Sequence, residues 1–197
     1  MMNITKLLFA IPALLLSLSL SAQVKVNPEI QKKFDAFIEL SNQKKWNEAF
    51  DLMYPKLFIS VPKQDLVNIM TGMDQDGLAL RMSNIQIEST TVPIQENGET
   101  FVKLAYSADL TVEVAEKGIY NAPKAIQGMT EQFQTAYGKS NVKFDDANKT
   151  YHILAHKSMM AIQSNNQWYL LEINTDQMEL MESLFSPSVM DALVRTE

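Results

Sequence analysis

YHILAHKSMMAI, residues Tyr151–Ile162, is the stretch on which fold and chemistry both turn, because it holds both histidines, His152 and His156, of a chain without cysteine. On a helix, side chains four apart are about 6 Å from each other and can share a zinc ion. On a strand, at about 3.3 Å per residue, they share a face but stand about 13 Å apart, beyond a common coordination shell. Alanine and methionine favour helix, while tyrosine and isoleucine suit a strand. The flanks decide: polar DDANKT precedes the segment, and the SNNQ turn and the aromatic run QWYLLEI follow it. The reading is strand, with two separate, partly exposed imidazoles and no metal. Ile153 also stands where a helical HExxH zinc motif needs glutamate.

Working outward, Ser164-Asn165-Asn166-Gln167 fits a tight turn, since asparagine tolerates positive φ. Upstream, Glu96-Asn97-Gly98-Glu99 is a stronger hairpin signal and joins two long strands between Leu78 and Ala115. In FVKLAYSADLTVEV, Val102, Leu104, Tyr106, Ala108, Leu110, Val112 and Val114 share one face, and Lys103, Ser107, Asp109, Thr111 and Glu113 the other. One side faces a core; the other faces solvent or a cavity.

Helical periodicity surrounds the strands. Asn27-Pro28 reads as a cap and first turn ahead of Ile30, Phe34, Phe37 and Ile38 on one face. A second short helix carries Trp46, Ala49, Phe50 and Met53 up to Pro55, and a third runs from near Pro62 to a stop at Gly72. A helix from Asn121 to Tyr137, stopped by Gly138, falls between strands, with NVKF as a short strand after it. Two helical pieces, Asp176 to Phe185 and Pro187 to Val194, close the chain.

The N-terminus, MMNITKLLFAIPALLLSLSLSAQ, has a basic residue at Lys6, an acid-free apolar run and small residues through Ala22. It reads as a secretory signal peptide, residues 1–22, cleaved near Ala22, rather than a stable membrane anchor. The expected mature protein is one α+β domain, residues 23–197, secreted or periplasmic. Without cysteine, its stability has to come from packing. The mature chain has 16 basic and 23 acidic residues, a formal −7, and no basic cluster longer than Lys44-Lys45, which excludes a phosphate-backbone footprint and a nucleic-acid partner.

Other constellations read as structure. Asp74-Gln75-Asp76-Gly77 lacks the flanking ligands of a calcium loop, with Gly72 and Ser83 at those positions. There is no GxSxG, and the glycines never cluster into a phosphate cradle. Met178 and Met181 fall on a helical face with Leu184 and Phe185, while Met159 and Met160 point to opposite faces of a strand, so packing rather than a cuprous site is expected.

Short N-terminal helices with KKWNEAFDLM, then long strands, then a hairpin closed by NNQWYLLEI, resemble the nuclear transport factor two-like superfamily over about Asn27 to Asn174. That resemblance implies N-terminal helices packed on a strongly bent antiparallel sheet, forming a cone with a pocket. The helix at 121–137 would be an insertion, and the helical C-terminus an addition. Enzyme members place aspartate, histidine or tyrosine inside the cone, which makes Asp109, His152 and His156 the candidate ligand-contact residues. No spacing carries a catalytic role onto them. The expected function is non-enzymatic binding of a small apolar ligand or a protein partner, without cofactor, as a homodimer through the outer sheet face. The alternatives are a proton-transfer lyase or isomerase with an Asp/His pair, and a structural or stress-related envelope protein.

Overall fold

The computed structural model describes residues 25–173 and 177–194, so the signal-peptide reading and the start of the C-terminal helix at Asp176 lie outside the described residues. Four helices come first: α1 (Pro28–Asn42), α2 (Trp46–Phe50), α3 (Leu57–Ser60) and α4 (Lys63–Gln75). Then come β1 (Leu78–Thr90), β2 (Ile94–Glu96), β3 (Glu99–Val114), α5 (Pro123–Tyr137), β4 (Val142–Asp145), β5 (Thr150–Ser164), β6 (Gln167–Glu172), α6 (Met178–Leu184), α7 (Pro187–Val189) and a π-helical turn at Met190–Val194. The protein is α+β, with all strand pairs antiparallel in one six-stranded sheet.

α1 starts as its sequence dictates: Asn27 Oδ1 accepts from the Glu29 N–H at 2.8 Å, and Pro28 opens the first turn. α5 begins at Pro123 rather than Asn121, and two details of the N-terminal helices differ from the sequence expectation. A fourth short helix, α3, follows Pro55, and α4 runs through Gly72 to Gln75. Gly72 meets no steric demand, whereas Gly77, at φ +88°, would put a Cβ 2.8 Å from that of Ala115. The chain reverses there, where only glycine fits.

The tight turns fall where expected. Asn97 and Gly98 have φ of 51° and 79°, and Asn165 and Asn166 have 51° and 61°, matching the twist of the hairpins they close. The sheet is built on β3 and β5, which pair without a break from Thr100↔Gln163 to Glu113↔Thr150. β1 and β2 lie along the far edge of β3, and β4 and β6 along the far edge of β5. β1 shifts register twice against β3, between Ser83 and Gln86 and between Ile87 and Ser89.

The inner face of the sheet carries two helical layers. Ile30, Phe34 and Ile38 of α1 pack on Val102, Leu104, Tyr106 and Ala108, while Met129 of α5 packs with Leu110, Val112, Tyr151 and Ile153. A third cluster forms on the outer face at one end only, where Phe101, Met160, Ile162 and Leu171 meet Met181, Phe185, Val189, Met190 and Leu193 from the C-terminal helices. β6 has its free edge covered: Tyr54 N–H donates to the Leu170 carbonyl and Leu170 N–H to the Leu52 carbonyl, both at 2.9 Å.

One polar knot joins these parts. The Tyr54 hydroxyl lies 2.9 and 2.8 Å from the two Glu99 carboxylate oxygens, and Lys56 Nζ is 2.9 Å from Oε2. Burial disfavours the Glu99 anion, but the hydrogen bonds, led by that from Lys56, outweigh it and hold the carboxyl below its ordinary value of 4.5. A depressed folded-state pKa stabilises the fold fully above the unfolded value and loses that contribution as pH falls through the folded value. Glu99→Gln should therefore cost about 1 kcal/mol at neutral pH, after allowing for partial solvent screening. In thermal melts the gap from the parent should close as pH drops below about 4. A gap that persists unchanged to pH 3 or below would refute the charged-partner account.

Candidate functional site

Between the N-terminal helices and the inner sheet face lies a cavity of about 220 Å³. Phe37 comes from α1, Trp46 and Phe50 from α2, Met53 from the following turn and Met70 from α4. Leu80 and Met82 of β1, Met159 of β5, and Leu170 and Glu172 of β6 form the sheet side. Four of its walls are thus methionine, whose unbranched, polarisable side chains adapt to different shapes.

Most polar groups in the wall are already engaged. Asn42 clasps the Met82 backbone, its Nδ2 donating to the carbonyl and its Oδ1 accepting from the N–H, each at 2.8 Å. That pair satisfies β1 beside its first register shift and ties the end of α1 to the sheet. The Ser41 hydroxyl donates to the Phe37 carbonyl at 2.7 Å. Trp46 Nε1 donates to Asp74 Oδ2 at 3.1 Å, and Asp74 in turn pairs with Lys44 at 2.8 Å. Arg81 pairs with Thr111 in the register, which places its side chain on the outer face. Glu172 is left as the acid in the inner wall, with Lys157 Nζ 3.5 Å from its Oε1.

The three residues singled out from sequence lie elsewhere. β5 is a strand, so His152 and His156 share its outer face with Leu154 between them, and the shared zinc ion of the helical reading is sterically out of reach. Asp109 pairs with Leu154 across the ladder, and its Oδ2 accepts from Asn84 Nδ2 at 2.7 Å. Asp109, Thr111 and His152 border a shallow, open hollow with Ser83, Ser140 and Lys143. His156 turns to a different acid, its Nδ1 3.4 Å from Glu88 Oε1, both side chains about half exposed. Asp109 and His152 thus share one hollow, His156 does not, and none of the three lines the apolar cavity.

The hollow and the cavity differ in what they can hold. The hollow is larger, about 410 Å³, yet it opens to water along a polar sheet face. A water-filled, polar concavity gives little of the apolar burial that drives small-ligand affinity. The smaller cavity has aromatic and methionine walls and one unsaturated acid–base pair at its margin, which is the composition of a ligand pocket.

Sequence reasoning expected a pocket but missed Glu172, Lys157 and the residues that line the cavity. One signal was present: Lys157 occupies an inward position of β5, in the series with Tyr151, Ile153, Ala155, Met159 and Ala161, where an apolar residue was due. A lysine that breaks an inward series marks a buried polar demand. Among the described residues, no three His, Asp or Glu side chains converge in a metal-ligating group, and no helix is long and apolar enough to cross a membrane. No family model, curated protein or solved structure matches the chain, so the site stands on its own geometry.

Proposed function

We propose that this is an exported, non-enzymatic domain of nuclear transport factor two-like architecture that holds a small apolar molecule in the cavity under α1, α2 and α4. The observation that carries this reading is the cavity's wall: aromatic rings and four methionines, with Asn42, Ser41 and Trp46 already hydrogen-bonded within the protein. Such a wall offers an entering ligand apolar contact without asking it to repay lost hydrogen bonds. The helices-then-sheet order and the two register shifts of β1, which add local bend, support the cone. The α5 insertion and the C-terminal helices are this chain's additions to that plan.

Two alternatives are less well supported. The outer sheet face displays Asp109, Thr111, His152 and His156, with Leu154 its one exposed large apolar side chain among the described residues, so it lacks the apolar centre of a stable homodimer or protein interface. The imidazole–carboxylate contact of His156 and Glu88 is open to solvent, not enclosed with a substrate-sized space as proton-transfer catalysis requires.

A cavity of about 150 Å³ accepts benzene. The space here suits one or two fused rings or a short branched chain. Naphthalene, titrated calorimetrically, should bind with Kd on the order of tens of micromolar, and Trp46 fluorescence should change on binding. Met70→Trp, which fills the space from α4, should weaken it at least tenfold while leaving the melting temperature within a few degrees. No heat and no fluorescence change with naphthalene would defeat the ligand reading.

A further inference from the structure

Between the α1 layer and the α5 layer, the inner sheet face carries a group of polar side chains. Lys157 lies opposite Tyr106 in the β3–β5 ladder, and its Nζ is 3.5 Å from Glu172 and 4.8 Å from the centre of the Tyr137 ring. Tyr106 is only 6% exposed, held edge-on against Phe34 at 5.1 Å. The hydroxyls of Tyr106 and Tyr137 have no hydrogen-bond partner among the described residues. Among the described residues Asn121 Oδ1 is the one buried side-chain polar atom sealed without a partner, so the unpartnered Tyr106 hydroxyl keeps accessible surface despite its burial. Glu172 belongs both to this group and to the wall of the apolar cavity.

We propose that this group is the polar end of the cavity and that the ligand is an apolar molecule ending in a neutral hydrogen-bond acceptor, a ketone or other carbonyl. This deepens the ligand reading above and rests on it. The charge balance selects the head group. Lys157 and Glu172 already neutralise each other, so a carboxylate would meet Glu172 and an ammonium would meet Lys157 at a partly desolvated site, each at a cost. The phenols are donors in waiting. Burial, reinforced by the charge of Glu172, pushes both up from their ordinary value of 10.0, which keeps them protonated at neutral pH. A neutral carbonyl accepts from a phenol without adding charge.

The test compares three probes with one body on the full-length mature chain: naphthalene, acetonaphthone and naphthoate. Acetonaphthone should bind about tenfold more tightly than naphthalene, and naphthoate no more tightly than naphthalene. The double change Tyr106→Phe with Tyr137→Phe removes only hydroxyls without protein partners, so it should leave the melting temperature in place and abolish the preference for acetonaphthone over naphthalene. If naphthalene binds but acetonaphthone gains nothing, or if its gain survives in the double variant, the head-group assignment is wrong while the cavity reading stands. Preference for naphthoate would overturn the charge-balance argument. Failure of all three probes to bind would overturn both.

Discussion

A chain ending at Ile173 is expected to lose its cooperative thermal transition and to bind hydrophobic dyes or precipitate. The C-terminal helices contribute Met181, Phe185, Val189, Met190, Leu193 and Val194 to the core, every one of them buried. At roughly 1.5–3 kcal/mol for each buried side chain, their removal forfeits on the order of 10 kcal/mol, even after discounting for residual burial in the unfolded chain. Whole-domain stabilities are only about 5–15 kcal/mol. The truncation also strips the outer sheet face at Phe101, Met160 and Ile162, where Phe185 packs edge-on against Phe101 at 5.8 Å and parallel to Tyr54 at 6.2 Å. Circular dichroism melts and gel filtration check it. A truncated chain that stays monomeric and melts within about 5 °C of the parent would show that these helices are an appendage rather than part of the core.

That outcome bears on how far the fold was legible. The strand alternation of β3, the two asparagine turns, the N-cap of α1 and the Gly138 stop of α5 are local events, written in adjacent residues, and they stand where the sequence puts them. The partners of each face are not local. Nothing near Met181 or Phe185 says that they cover Met160 and Ile162, because both faces of β5 at its C-terminal half are apolar and either layer would satisfy the pattern. The site failed to show for a related reason. A cavity is a property of what several elements leave unfilled, and Phe37, Trp46, Met70, Met82 and Glu172 come from five separate elements. Asp109, His152 and His156 drew attention by residue type, yet the period of two that makes β3 and β5 strands also turns them away from the cavity.

The same period makes Tyr151 and His152 neighbours with opposite fates. Tyr151 is 0% exposed, with Phe144 at 4.5 Å and Phe133 at 5.0 Å between ring centres. Its hydroxyl donates to the Ile126 carbonyl at 2.7 Å and lies 2.8 Å from Thr130 Oγ1, which fastens α5 to the sheet at the fourth position of the helix and again one turn later. Tyr151→Ala should cost about 3–5 kcal/mol, the range for deleting a buried aromatic ring, and lower the melting temperature by about 10 °C or more. Tyr151→Phe isolates the hydroxyl and should cost about 1–2 kcal/mol, since the Ile126 carbonyl loses its donor from the sheet. His152→Ala and His156→Ala, on the exposed outer face, should each stay within about 0.5 kcal/mol of the parent. Chemical denaturation of the four variants reads the in-and-out alternation directly. A large loss at either histidine, or a negligible one at Tyr151→Ala, would mean that Tyr151–Ile162 does not run as a strand with this face turned to α5.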